Sequence, residues 1–196
     1  GEIVNNNNTM ISCLRFATAC GFSPNLRLDL VLNDFVATAL STKSIKILSN
    51  GSPWRPLIDV EDMSRAIYWS CHRKTGKNFE ILNVGASACN YKIIDLANAV
   101  KNIFKDEMKV DIKVEVNLNA EPDKRSYKVN FDKFYSLAEQ NFLPRVSLSE
   151  SIKRLIYGTK PFSLRLLNEN RDYLIRLKVL KSLKNSNLLD DNLYWK

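Results

Sequence analysis

The chain has 196 residues, of which 45% are hydrophobic and 26% charged, so it can form one ordinary domain with a sizeable core and is too apolar to be disordered. Lysine and arginine outnumber the acidic residues 29 to 21, which gives a formal net charge of +8. No apolar run approaches the roughly 20 residues of a membrane span, and the N-terminus lacks the charged and apolar regions of a signal peptide. These features predict a cytoplasmic protein without a membrane segment.

The excess positive charge is concentrated near the C-terminus. Residues 151–196 contain ten lysines and arginines against four acidic residues. Such a segment can attract nucleic acid or a membrane surface, but its leucines recur at helical spacing, which favours the solvated face of an amphipathic helix. The sequence has no RNA-binding aromatic signature and no zinc-finger pattern, so we predict neither nucleic acid nor a membrane as partner.

The four cysteines form no C-x-x-C pair, and only one histidine accompanies them. This pattern favours buried, reduced thiols over a disulfide framework or a metal site.

The first half of the chain predicts strands that alternate with helices. An apolar stretch at residues 10–20 is typical of a strand buried on both faces, as in a parallel sheet. Apolar spacing then predicts a helix at 28–40, a short alternating strand at 44–48 and an extended segment at 55–60. A helix follows at 63–73, with Asp62 as its predicted cap and Asp59 as the second choice, and another buried strand follows at 78–85.

The second half continues the alternation. An apolar stripe predicts a helix at 91–105 with Asn90 as its cap, and residues 110–117 alternate as a half-exposed strand. A polar turn at 119–126 leads to a helix at 132–140. A capping box from Ser147 to Glu150 opens the helix at 147–158. This order predicts α/β architecture with a parallel sheet.

Five segments occur in a specific order between roughly residues 9 and 158. They are LRFATACGFSP, IKILSNGSPWRPLIDVEDMSRAI, FEILNVG, EPDKRSYKVNFDKF and LPRVSLSESIKRLI. In this order the chain resembles the C-terminal half of an extended short-chain dehydrogenase/reductase, and more narrowly the NAD-dependent nucleotide-sugar epimerases and dehydratases.

The resemblance implies a fold and a function. Residues 1–160 would be the C-terminal portion of a Rossmann-like epimerase/dehydratase domain, with its last parallel strands and a small substrate-binding lobe, and residues 161–196 a basic helical tail. The substrate would be a nucleotide sugar and the cofactor NAD, with isomerase or lyase chemistry in carbohydrate biosynthesis.

Two arginines are the main candidates for substrate binding. In the family, the arginine of the R-x-x-x-x-V-x-D segment binds the substrate diphosphate, and the match carries this role to Arg55. A guanidinium suits the task, because it offers planar, bidentate donors and stays charged. The alternative for Arg55 is a surface salt bridge to Glu61 or Asp62. Arg125 follows on a turn, where the family places a lid arginine.

Five further positions correspond to ligand-facing stretches of the family. Lys46 and Ile47 would flank the nucleotide base, Asn33 and Arg27 would contact phosphate or sugar, and Thr18 would lie near the nicotinamide or the sugar. An edge strand, a polar helix face, a loop cation and a strand threonine explain the same residues without a ligand.

Two motifs of the family do not occur in these 196 residues. One is G-x-x-G-x-x-G, whose helix N-terminus cradles the NAD pyrophosphate, and the other is the catalytic Tyr-x-x-x-Lys. Tyr157 and Lys160 are three positions apart and near the end of the last predicted helix of the domain. We therefore expect the N-terminal half to be absent, assign no catalytic or metal-binding residue, and expect turnover only with a separate chain that carries that half.

A second class of function stays open at this point. The chain could be a non-catalytic nucleotide-sugar-binding or assembly module that pairs with another chain through an exposed sheet edge. The family often dimerises through a pair of its central helices, and one of these is absent from the sequence, which argues against the usual dimer. A homo-oligomer of another kind stays open.

Overall fold

The computed structural model describes residues 10–75, 77–120, 125–160 and 171–196, and within these ranges strands alternate with helices. The elements are β1 (Ile11–Phe16), β2 (Thr18–Cys20), α1 (Val31–Thr42), β3 (Ser44–Ile47), β4 (Trp54–Asp59), α2 (Val60–His72), β5 (Phe79–Val84), β6 (Asn90–Lys92), α3 (Ile93–Met108), β7 (Lys113–Val116), α4 (Asp132–Leu137), α5 (Leu148–Thr159) and α6 (Arg176–Asn185).

The strand pairs are mostly parallel, as the alternation of elements predicts. Strand β1 pairs with β5, β2 with β4, and β3 with β7, all in parallel, and β6 adds to β4 in antiparallel direction. The stretch predicted as one buried strand is divided at Ala17, where the chain leaves β5 and begins to pair with β4. The α/β prediction is confirmed.

Two apolar clusters hold the elements together. Helices α1, α3 and α5 pack their periodic apolar faces into the larger cluster, and α2 and α4 cover one face of the β1–β5 pair in the smaller one. Burial of each large aliphatic or aromatic side chain contributes about 1.5–3 kcal/mol. The fully buried large side chains are Phe104, Phe131, Phe134, Leu32, Ile45, Leu82, Leu96, Ile112, Ile152, Leu155 and Ile156.

The helix starts confirm one predicted cap and correct two. Ser147 caps α5 by accepting a hydrogen bond from the Glu150 backbone N–H at 3.2 Å, as predicted. The cap of α2 is Asp59, which accepts from the Glu61 N–H, so the preference for Asp62 was wrong. Asp62 is buried inside the helix, where its carboxylate accepts from two distant backbone N–H groups.

Asn90 does not cap α3, because the helix begins only at Ile93 and its N-cap position is Lys92. The side-chain amide of Asn90 instead exchanges two hydrogen bonds with the Val129 backbone, at 3.0 and 3.2 Å. An amide three residues ahead of the helix thus anchors the strand-like segment that precedes α4.

The described part of the basic tail is attached to the main cluster. Leu174 and Ile175 pack against that cluster, and the Leu28 N–H donates to the Leu174 carbonyl at 2.9 Å. The helix that follows, α6, is largely exposed, as its basic sequence predicts. Among the described residues no helix is long and apolar enough to cross a membrane.

The prediction that the cysteines are buried holds only in part. All four are free thiols, with Cys20 buried and Cys89 partly buried, but Cys13 and Cys71 are exposed. Cys13 is exposed because only one face of the β1–β5 pair is covered by described residues.

Candidate functional site

A cleft of about 550 Å³ opens where the end of β3, the start of α1, the start of β4 and residues 125–127 meet. Cavities of this size suit a small organic ligand. Five of the seven predicted site residues line it, namely Thr18, Lys46, Ile47, Arg55 and Arg125.

Arg55 is held in place by its neighbours. Its guanidinium donates to the Trp54 carbonyl at 2.9 Å and to the Arg125 carbonyl, and it lies 5.6 Å from the centre of the Tyr127 ring. Pro56 keeps the preceding residue extended, which suits the first residues of β4. Arg55 is therefore a half-buried cation with its position fixed at the entrance of a strand.

The loop that carries Arg125 is tied to the same strand. The Trp54 N–H donates to the Ser126 hydroxyl at 3.1 Å, and the Tyr127 N–H donates to the Trp54 carbonyl at 3.4 Å. Lys128 lies over the Trp54 ring at 3.7 Å. These contacts bring Arg125 to the cleft beside Arg55, across 70 positions of sequence. The predicted turn residues 121–124 lie outside the described residues.

The alternative considered for Arg55 is a surface salt bridge to Glu61 or Asp62, and both of these carboxylates pair with other arginines. Glu61 pairs with Arg65 and Arg154, and Asp62 pairs with Arg65. The hydrogen bonds from Arg154 and Arg65 lower the pKa of Glu61. Both acids therefore belong to a cluster between α2 and α5.

The first turn of α1 forms part of the cleft wall. Leu30 and Val31 line the cleft, and the N-cap residue Leu30 makes no side-chain capping bond. The first N–H groups of a helix have no partner inside the helix, and the helix dipole makes this end partly positive. The uncapped start of α1 consequently favours an anion at this part of the cleft wall.

Two carboxylates also line the cleft, and each is paired with an arginine outside the lining set. Arg27 holds Asp29 through two hydrogen bonds, Nε to Oδ1 at 3.0 Å and Nη2 to Oδ2 at 2.5 Å, and they lower the pKa of Asp29. Asp34 pairs with Arg171 of the tail. Each of these two acids is therefore paired with an arginine that does not line the cleft.

The floor and the β3 side of the cleft are apolar. Phe35 and Ile47 are buried beneath it, Ile93 lies at its edge, and Leu48 at the end of β3 is 85% exposed. Lys46 stands between these residues and makes a loose ion pair with Glu115 at 3.9 Å. This side of the cleft therefore carries apolar residues next to the cationic side.

The two remaining predicted residues serve the local structure. Asn33 is buried, accepts a hydrogen bond from the Gly21 N–H and donates to the Arg27 carbonyl, both at 3.1 Å. Neither Asn33 nor Arg27 is among the residues that line the cleft. Sequence reasoning missed Tyr127, whose only local signal is its alternation with Arg125, and it missed Asp34, whose partner is 137 positions away.

Comparison with known proteins shows which family and which solved structures the chain resembles. Residues 2–85 match the model of the NAD dependent epimerase/dehydratase family. The chain is structurally similar to MoeE5 in complex with UDP-glucuronic acid and NAD, with a TM-score of 0.62 and 20% identity over 78% of this chain and 48% of that one.

Two further solved structures give the same result. UDP-glucuronic acid 4-epimerase from Bacillus cereus, in complex with UDP-glucuronic acid and NAD, has a TM-score of 0.59 and 20% identity, covering 76% of this chain and 44% of that one. UDP-glucose 4-epimerase from Bifidobacterium longum, in complex with NAD+ and UDP, has a TM-score of 0.62 and 11% identity, covering 81% and 50%.

These identities are low enough that the solved structures establish the fold alone, and the chain spans about half the length of each of them. The sequence match and the shared fold agree. Together they confirm the predicted resemblance of this chain to the NAD dependent epimerase/dehydratase family.

Proposed function

We propose that residues 1–160 are the nucleotide-sugar-binding, C-terminal portion of an NAD-dependent nucleotide-sugar epimerase or dehydratase. The observation that carries the proposal is the convergence of Arg55, Arg125 and the uncapped start of α1 on one cleft whose other side is apolar. A nucleotide sugar has this division, since it joins a flat base to a doubly anionic diphosphate.

Each part of the cleft has a role in binding. Arg55 donates a bidentate pair of charge-assisted hydrogen bonds to the diphosphate, and its fixed position reduces the entropy lost on binding. Arg125 approaches from the loop, and the N–H groups of α1 add uncharged donors. The base lies against Ile47 and Leu48, with Lys46 at its edge.

Chemistry in this family requires NAD, which accepts and returns a hydride. These 196 residues contain no glycine-rich pyrophosphate loop, so no NAD-binding step is assigned to them beyond a contact from Thr18, which lines the cleft. Tyr157 is no substitute for the catalytic tyrosine, because its hydroxyl donates to Glu107, and this hydrogen bond raises its pKa. We expect no turnover by these residues alone.

A specific feature favours the assembly role as a second candidate. On the outer face of the β1–β5 pair, Cys13, Phe79 and Ile81 are exposed, with Phe79 at 46% and Ile81 at 43%. Parallel sheets are normally covered on both faces. This face would be covered by helices from the rest of an epimerase domain, carried by the same polypeptide or by a separate chain, or by a second copy.

The nucleotide-sugar proposal is tested by calorimetric titration with UDP-, GDP-, ADP- and dTDP-sugars. Loss of charge-assisted hydrogen bonds costs about 1.5–3 kcal/mol, so Arg55→Ala should weaken binding roughly 10- to 150-fold. Lys105→Ala is the control, because it removes an exposed cation of α3 that does not line the cleft. Equal affinity of wild type and Arg55→Ala would remove the phosphate role.

Turnover is tested separately by adding NAD and the bound nucleotide sugar and following cofactor reduction by absorbance. Reduction by this polypeptide alone would contradict the assignment of catalysis to other residues.

A cytoplasmic location and the boundary between residues 160 and 161 remain predictions.

A further inference from the structure

We propose that the tail segment 171–175 is part of the nucleotide-diphosphate site, and that Arg171 acts there as a positioning residue that sets its charge. By neutralising Asp34 on the cleft wall, Arg171 allows a doubly anionic ligand to lie against the start of α1. The inference rests on the proposed nucleotide-sugar function and extends it to the tail.

Two contacts of different kinds fix the segment to the cleft wall. Arg171 forms an ion pair with Asp34, and the side chains of the two residues are 26% and 36% exposed. Three residues further on, the Leu174 carbonyl accepts a hydrogen bond from the Leu28 N–H at 2.9 Å. Leu28 and Asp34 both line the cleft, so the tail is held at two points of one wall.

The apolar side chains of the segment make the attachment stable. Leu174 and Ile175 pack against the larger apolar cluster, next to the residues of α1. Arg171 is consequently presented to Asp34 from a fixed backbone, unlike a surface lysine at the end of a free chain. A pair held in this way loses less side-chain entropy than an ordinary surface salt bridge.

The charge of Asp34 matters because of where it lies. It is in the first turn of α1, and like Leu30 and Val31 at the start of that helix it lines the cleft. An unpaired carboxylate there would repel a phosphate that the N–H groups attract. At a separation of about 6 Å and an effective dielectric constant of about 40–80, this repulsion corresponds to roughly a 3- to 10-fold loss of affinity.

The second cleft carboxylate, Asp29, is neutralised by a residue close to it in sequence. Asp29 is paired with Arg27, two residues away, so its neutralisation needs no distant segment. Asp34 is the cleft carboxylate that pairs with a residue of the tail. The tail therefore supplies the positive charge that pairs with Asp34.

The experiment uses the full chain and four variants, Arg171→Gln, Asp34→Asn, the double variant and Lys181→Gln. The last removes one positive charge from the exposed helix of the same tail and controls for net charge. The probes are UDP, GDP and ADP, and the nucleoside diphosphate that binds wild type most tightly is compared with its own nucleoside by calorimetry. Thermal unfolding of each variant accompanies the titrations.

We expect Arg171→Gln to weaken the nucleoside diphosphate roughly 3- to 10-fold and the nucleoside hardly at all, with a smaller effect at high salt. The double variant should restore wild-type affinity, because no unpaired carboxylate remains, and Lys181→Gln should match wild type. An equal loss for nucleoside and nucleoside diphosphate without rescue by Asp34→Asn would indicate a merely structural contact and overturn the inference.

Two other results separate this inference from the function on which it rests. If wild type binds a nucleoside diphosphate and Arg171→Gln binds it equally well, the inference fails and the proposed function stands. If wild type binds none of the three probes and no nucleotide sugar, the proposed function fails, and the inference fails with it.

Discussion

Asp62 gives the sharpest test of how this fold is held together. Its carboxylate is 2% exposed and accepts hydrogen bonds from the backbone N–H groups of Arg145 and Val146, each at 3.1 Å. It also pairs with Arg65 on the next turn of the helix. One buried carboxylate thus joins α2 to the segment that enters α5, 84 positions along the chain.

The Asp62→Ala substitution leaves two backbone donors without an acceptor and the Arg65 guanidinium without this partner. Each unsatisfied buried group costs about 1–3 kcal/mol, and removing one partner of a buried pair costs about 3–5 kcal/mol. Because these contributions overlap, we expect a total loss of about 3–5 kcal/mol, a large share of the roughly 5–15 kcal/mol that stabilises a domain. Asp62→Asn keeps one oxygen acceptor and should lose about half as much.

Urea unfolding of the full chain, followed by far-UV circular dichroism, measures this loss as a fall in midpoint at constant slope. Asp106→Ala is the control, because it removes an exposed carboxylate from α3 and should change stability by no more than about 0.5 kcal/mol. A loss below about 1 kcal/mol for Asp62→Ala would refute the reasoning that this carboxylate joins the two segments.

Two further predictions concern a buried acid and a glycine. Burial raises the pKa of Glu80, but its ion pairs with Arg73 and Lys133 outweigh it and hold that pKa below its usual range. The stabilisation of the folded state by ionised Glu80 is therefore complete above about pH 4.3 and is lost as pH falls through the folded-state pKa. The difference in urea midpoint between wild type and Glu80→Gln should narrow over that pH range. A difference that does not change with pH would contradict this. Gly21 has a φ of 103°, and an added Cβ would lie 2.5 Å from Asp59 Oδ2. Gly21→Ala should therefore lower the free energy of unfolding by at least about 1–3 kcal/mol in the same urea assay. An unchanged midpoint would contradict the predicted clash.

Local sequence predicts the elements well because helices and strands follow local periodicity. The helix starts show where this information ends. Asp59 and Asp62 are both suitable caps by residue type, and the choice between them is made by Arg145 and Val146, which bind the second carboxylate from a distant segment. Ser147 was predicted correctly because its partner, Glu150, is three residues away.

The same distinction applies to the cleft. Arg55 was found through a family segment, and its placement beside Arg125 depends on hydrogen bonds across 70 positions that no local pattern encodes. Asn33 was a reasonable candidate by its place on the helix, but its side chain is engaged by the Gly21 N–H, at a turn where a positive φ brings the backbone close. The direction of a polar side chain is decided by such tertiary partners.

The charge balance of the cleft argues that the predicted division between the domain and its basic tail does not separate two functions. The body of the domain places cations and an uncapped helix start around the cleft, but it also places Asp34 among them. A carboxylate in the first turn stabilises a helix through the dipole, so its presence in α1 serves folding even though it opposes an anionic ligand. Arg171 resolves this conflict, because it removes the repulsion toward the ligand and leaves the carboxylate in place for the helix. The basic composition of the tail, which alone would indicate attraction to a polyanion, then has a specific use inside the protein.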